Sequence, residues 1–281
     1  MPWRDRAGRF SPLKAAILAL VLAPGLVLAL RWMLHDLGPR PYDVAIHELG
    51  SWAIRLLIAT LAVTPLRRLL RWPSLIATRR MLGVSSACYA VLHLALFAVD
   101  LKLDLALILA EMVKRIYLVV GSVALLGLLA LAATSTDRMV RRMGGKAWQR
   151  LHRLVYPLTA LGLLHFAMQS KIDVTQPVLL AGMLCLALAC RLAPAAPGRS
   201  GALHVAALAA ASAAATAGCE ALWHALATGV DARLVLQANL LPDAGPRPAW
   251  WVAATGFALA LAVAWRARVA APVAAGAAAR A

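Results

Sequence analysis

The chain is 281 residues long, 62% hydrophobic and only 15% charged, with a mean hydropathy of +0.76. Soluble domains run nearer about 45–50% apolar and about 25% charged, so a water-soluble globule is excluded and an integral membrane protein is expected. Lys plus Arg number 29 against 12 Asp plus Glu, a formal net charge of +17, which marks a nucleic-acid binder only if those charges gather on a soluble face.

Crossing roughly 30 Å of hydrocarbon takes about 20 residues. Eight segments read as spans, near 13–30, 47–66, 81–99, 116–134, 151–168, 175–190, 202–228 and 249–265. The first follows basic residues as a signal peptide does. It runs on into Arg31-Trp32-Met33 without a small-residue cleavage site, so it counts as a span. The N-terminus, the loops 67–80, 137–153 and 191–199, and the C-terminus together hold 20 basic and 2 acidic residues, whereas the opposite loops hold 8 and 9. Basic residues beside short loops stay cytoplasmic, which puts both termini inside. The positive charge is then a topology signal and a contact for anionic lipid, and no soluble module remains to bind nucleic acid.

Composition shifts after Arg191 to a Pro/Gly stretch and then an Ala-rich tail. The expected organisation is all-α. A six-helix bundle covers 1–192, a linker 193–201, and a two-helix extension 202–281. The four Cys form no CxxC pair and lie in or beside apolar runs, which gives no support to a disulfide scaffold or zinc ribbon. No GxGxxG followed by an acidic residue is present, so no built-in nicotinamide domain is expected.

Polar residues inside a membrane are costly and usually face a bundle interior or a cofactor. A membrane histidine can equally be a packing residue, so pattern must decide. His152 and His165 are 13 residues apart on the fifth span, about 20 Å along a straight helix, and cannot both bind one iron. Pro157 between them can bend that helix. Depth supplies a partner for His165. Spans three and five both run outward, and His93 and His165 each lie about 13 residues in, toward the outer half. Two neutral imidazoles at one height suit the axial positions of a six-coordinate b-type haem. With no CxxCH, any haem is non-covalent.

At the inner level Arg79 stands on nearly the face of His93, fourteen residues earlier. His152 there binds a second haem with an unusual partner, contacts a propionate or flavin, or is an interfacial histidine. Arg79 and Arg80 pair with propionates or simply mark the inner face. Arg55, near His47 and Glu48, meets a propionate or quinone oxygen, or reaches outward to water. Glu220 and His224, four residues apart on span seven, form a proton or quinone site or bond to each other.

The runs Thr64-Pro65-Leu66-Arg67-Arg68, Thr78-Arg79-Arg80-Met81-Leu82-Gly83 and Leu92-His93-Leu94 resemble the haem-binding membrane subunits of periplasmic protein-methionine-sulfoxide reductase systems, the MsrQ or YedZ family. So do Thr134-Ser135-Thr136, Trp148-Gln149-Arg150-Leu151-His152-Arg153-Leu154-Val155-Tyr156, and His165-Phe166 followed by Lys171, in family order across roughly residues 10–192. The resemblance implies a six-helix ferric-reductase-like domain in the bacterial inner membrane, binding haem b (one or two) and FMN, with His93, His152 and His165 as haem ligands. It also implies electron transfer from the quinone pool or a cytoplasmic flavin reductase to a separate periplasmic molybdopterin subunit, which repairs methionine sulfoxide in envelope proteins. Two departures stand out. Ala167-Met168-Gln169 follows the outer histidine where the family often has Trp, and the last 80 or so residues exceed the six-helix core. Alternatives are a ferric or cupric metalloreductase of the same fold, and a transporter or assembly factor without haem.

Overall fold

Ser11 opens the first helix by accepting a hydrogen bond from the Lys14 backbone N–H, with Pro12 at the position where a missing N–H costs nothing. In the computed structural model, described for all residues but 1–2, 5–7, 172, 194–198 and 279–281, helices follow one another throughout. They are α1 (Pro12–Met33), α2 (Pro41–Leu69), α3 (Arg79–Asp100), α4 (Leu105–Lys114), α5 (Ile116–Ala133), α6 (Asp137–Met143) and α7 (Gly145–His152). After them come α8 (Val155–Ser170), α9 (Thr175–Leu192), α10 (Arg199–Thr228), α11 (Ala232–Ala238) and α12 (Pro248–Ala278). No strand occurs among the described residues, and short 3-10 turns cover Pro73–Thr78 and Pro242–Ala244.

Among the described residues, seven stretches are long and apolar enough to cross a membrane: α1, α2, Pro73–Asp100, α5, α9, Ser200–Thr228 and Pro248–Val269. Helix α8, which carries His165, has 16 residues. The protein is thus an all-α, multi-pass membrane protein. The loop between the third and fourth spans also holds a helix, α4. Asp104 starts it by accepting from Leu107 N–H at 3.0 Å, and it leaves Leu105, Leu109 and Val113 exposed.

The expected unbroken span 151–168 is corrected. Helix α7 stops at His152 and α8 starts at Val155. Pro157 has no N–H for the Arg153 carbonyl, and its ring would strike that carbonyl in a continuous helix. In the first turn of α8 the same ring is harmless. His152 and His165 therefore belong to different helices.

The chain divides into two compact units, Met1–Thr60 with Ala77–Gln169, and Leu61–Ile76 with Ser170–Ala281. This division differs from a boundary at 193–201, because α9 packs with α10 and α12. Residues 194–198 of the expected linker lie outside the described residues. Small residues draw these three helices together. A Cβ on Gly182 would stand 2.6 Å from Val252, and one on Gly256 would stand 3.1 Å from the Ala209 Cα.

Two arginines finish this second unit. Pro65 leaves the Leu61 carbonyl without its usual donor four residues on, and Arg191 fills that vacancy at 2.8 Å. Arg68 in turn places Nη2 2.7–2.8 Å from the carbonyls of Cys190, Arg191 and Ala193, groups that a helix C-terminus leaves unsatisfied. Asp173, ahead of α9, accepts from Thr175 N–H at 3.1 Å. Bonding with Thr175 holds its carboxyl below the ordinary value.

In the first unit, α1 carries Pro24-Gly25 at its middle, and a phenol from α3 enters its ladder there. Gly25 N–H donates to the Tyr89 hydroxyl at 2.9 Å, and that hydroxyl donates to the Val21 carbonyl at 2.8 Å. The insertion fixes α3 against α1 one turn before His93.

Candidate functional site

His93 on α3 and His165 on α8 come together. Their ring centroids are 6.2 Å apart and their planes are inclined at 84°. Each ring is held from behind by backbone. Nδ1 of His93 lies 2.7 Å from the Ile46 carbonyl of α2, and Nδ1 of His165 lies 2.7 Å from the Tyr117 carbonyl of α5. A carbonyl only accepts, so Nδ1 carries the proton and Nε2 keeps a lone pair. That is the tautomer a metal-binding imidazole needs, already oriented by a hydrogen bond outside the coordination sphere.

The donor set also limits what can be held. Among the described residues no group of three or more His, Cys, Asp or Glu is placed to hold a metal ion. Two imidazoles suit a metal whose other positions are filled by its own macrocycle, as in haem. His93 and His165 would hold such an iron between them, and the haem would supply one-electron chemistry there.

His47 lies within electrostatic reach of both rings. Its Nδ1 donates to the Asp43 carbonyl at 2.6 Å, and its Nε2 accepts from the Gln169 amide, one turn after His165. His152 is elsewhere. Its ring stacks on Trp148 with centroids 3.9 Å apart, its Nδ1 is 3.1 Å from the Trp148 carbonyl, and its Nε2 is 3.3 Å from the Ser135 hydroxyl. Arg79 is the charge that acts on it. Among the described residues no second histidine joins His152 as His93 joins His165.

The arginines are similarly engaged. Arg80 forms an ion pair with Asp137 at 2.6 Å, with both side chains at least half exposed. The Arg55 guanidinium lies 5.0 Å over the Trp52 ring. Glu220 does not bond His224. Its carboxylate is 2.9 Å from Arg247 and accepts from the Asn239 amide at 2.9 Å, with Glu220 itself only 2% exposed.

Reading side chains along the sequence misses the carbonyls of Ile46 and Tyr117, because every residue has one. A glycine four residues after each is the only trace they leave. Arg68 and Arg191 were legible as charges but not as caps.

The family described as "Ferric reductase like transmembrane component" matches residues 49–163. Among curated proteins, the "Protein-methionine-sulfoxide reductase heme-binding subunit MsrQ" of Rhodospirillum rubrum is 44% identical over 193 residues, which is 68% of this chain and 90% of that relative. The subunits of the same name from Herminiimonas arsenicoxydans and Caulobacter vibrioides are 41% and 40% identical, covering 64% and 56% of this chain and 84% and 75% of the relatives. No solved structure matches the chain. With that identity over nearly the whole of a relative, and with a ferric-reductase-like transmembrane component, the chain belongs to the MsrQ family.

Proposed function

We propose that this chain is the haem b electron-transfer subunit of a methionine-sulfoxide reductase system, with His93 and His165 as the axial pair. The observation that carries the proposal is the facing of two imidazoles whose Nδ1–H groups are both committed to backbone carbonyls. A b-type haem with both axial positions filled exchanges single electrons and offers no open site to substrate. The chain's own part is to fix the two rings, keep their tautomers and surround them with apolar helices.

Electrons enter from the quinone pool or a cytoplasmic flavin reductase and leave to a periplasmic molybdopterin subunit, which reduces methionine sulfoxide in envelope proteins. The excess of basic residues in alternate loops supports a place in the bacterial inner membrane with both termini cytoplasmic. One haem is assigned, at the facing pair; a second is not, since His152 meets Ser135 and Trp148 rather than another histidine. His152 and Arg79 are assigned instead to propionate or flavin contact. FMN is assigned to the chain by its family resemblance, without a site. His47 and Arg55 are assigned to propionate or quinone contact, and Arg80 to the cytoplasmic surface with Asp137.

The test is the visible spectrum of detergent-purified protein before and after dithionite, for the wild type, His93→Ala and His165→Ala. A reducible Soret band in the wild type, lost or displaced in both variants, is expected. A colourless wild type, or a band unchanged by both substitutions, overturns the assignment.

A further inference from the structure

The two histidines are fixed by the same backbone arrangement, repeated on two helices that carry no ligand. In an α-helix the carbonyl of residue i faces the N–H of residue i+4. Four residues after Ile46 comes Gly50, and four residues after Tyr117 comes Gly121. Each of these carbonyls also takes an imidazole Nδ1–H at 2.7 Å, using its second lone pair. To reach that lone pair, the ring must lie against the Cα of residue i+4.

Only glycine leaves room for it. A Cβ on Gly121 would stand 2.7 Å from Nδ1 and 2.8 Å from Cε1 of His165. A Cβ on Gly50 would stand 3.0 Å from Nδ1 and 3.2 Å from Cε1 of His93. An imidazole has no flexible end to swing aside, so at Gly121 the ring must shift off its carbonyl, and at Gly50 it must give by a few tenths of an ångström. Other glycines of this unit do different work. Gly127, also on α5, would meet the side chain of Leu158 first, and Gly83 would meet Thr60 at an ordinary 3.5 Å.

We propose that Gly50 and Gly121 are positioning residues for the axial pair, each clearing the space in which a histidine is locked onto the carbonyl one turn earlier. The proposal rests on the haem reading above and adds the source of ring orientation and tautomer. The Nδ1–H bond makes each imidazole a stronger donor through Nε2, so its loss weakens ligation and favours the ferrous state.

The experiment uses the full chain, purified with haem, as wild type, Gly121→Ala, Gly50→Ala, Gly127→Ala and His165→Ala. Haem retention, spin state and redox midpoint are read on each. Gly121→Ala is expected to hold haem about tenfold or more weakly, with part of the low-spin signal turned high-spin and the midpoint of the remainder raised. Gly50→Ala should move the same readouts by less, since its clash is milder, and it carries the test if Gly121→Ala fails to fold. Gly127→Ala should lower thermal stability while leaving spectrum and midpoint unchanged.

A wild-type spectrum and midpoint in both Gly121→Ala and Gly50→Ala overturn the proposal. So does a Gly127→Ala that shifts them as far as Gly121→Ala does. Failure of the underlying haem reading is seen separately, as a wild type without a reducible Soret band or a His165→Ala that keeps it.

Discussion

In the unit built from α9, α10 and α12, glycines let helices touch: Gly182 faces Thr216 and Val252, and Gly256 faces Ala209 and Leu186. In the unit that carries the histidines, Gly50 and Gly121 face imidazoles instead. Polar groups divide the same way. In the α9–α12 unit, Glu220 has Arg247 and Asn239, and Arg68 and Arg191 have carbonyls to bind. In the histidine unit each ring of the pair gives Nδ1 to a backbone carbonyl, while among the described residues no hydrogen bond is made by Nε2, and the two rings come within 6.2 Å of each other by centroid. The contrast separates packing held closed by its own contacts from packing that leaves ligand atoms over.

The contrast can be broken by substitutions that cost stability in one unit without touching the spectrum. Glu220→Ala leaves Arg247 without its buried partner and should cost about 3 kcal/mol in thermal or denaturant unfolding, with the haem spectrum unchanged. Arg191→Ala uncovers the Leu61 carbonyl and should cost about 1–2 kcal/mol. Adding Pro65→Ala gives that carbonyl a backbone donor again, so the double variant should recover most of the loss. If it recovers nothing, Arg191 acts through other contacts. Tyr89→Phe is the mildest, at about 1 kcal/mol or less, because Gly25 N–H can then bond Val21 directly and rejoin the α1 ladder. A shift of the Soret band in Glu220→Ala or Arg191→Ala would show that the units are not separable in this way.

Much of the arrangement was legible in the chain. The expectation that spans three and five run parallel placed His93 level with His165, and the two rings stand 6.2 Å apart by centroid. Pro157 was visible as a disturbance, but whether it bends a helix or ends one depends on where the next turn begins. The grouping of α9 with α10 and α12 was not legible, since alanine-rich faces do not name their partners. Nor were the Ile46 and Tyr117 carbonyls, because backbone acceptors acquire identity only from what folds against them. The fate of Glu220 was hidden for a related reason. Its bond to His224 was open from spacing alone, while Asn239 and Arg247 lie 19 and 27 residues further along.

The central claim is that one iron is shared by His93 and His165. Electron paramagnetic resonance of the oxidised, purified protein tests it most directly. A low-spin ferric signal of a doubly imidazole-ligated haem is expected in the wild type, with the strong anisotropy that near-perpendicular ring planes produce. It should be replaced by a high-spin signal, or lost with the haem, in His93→Ala and in His165→Ala alike. A low-spin signal that survives either substitution would contradict the shared site.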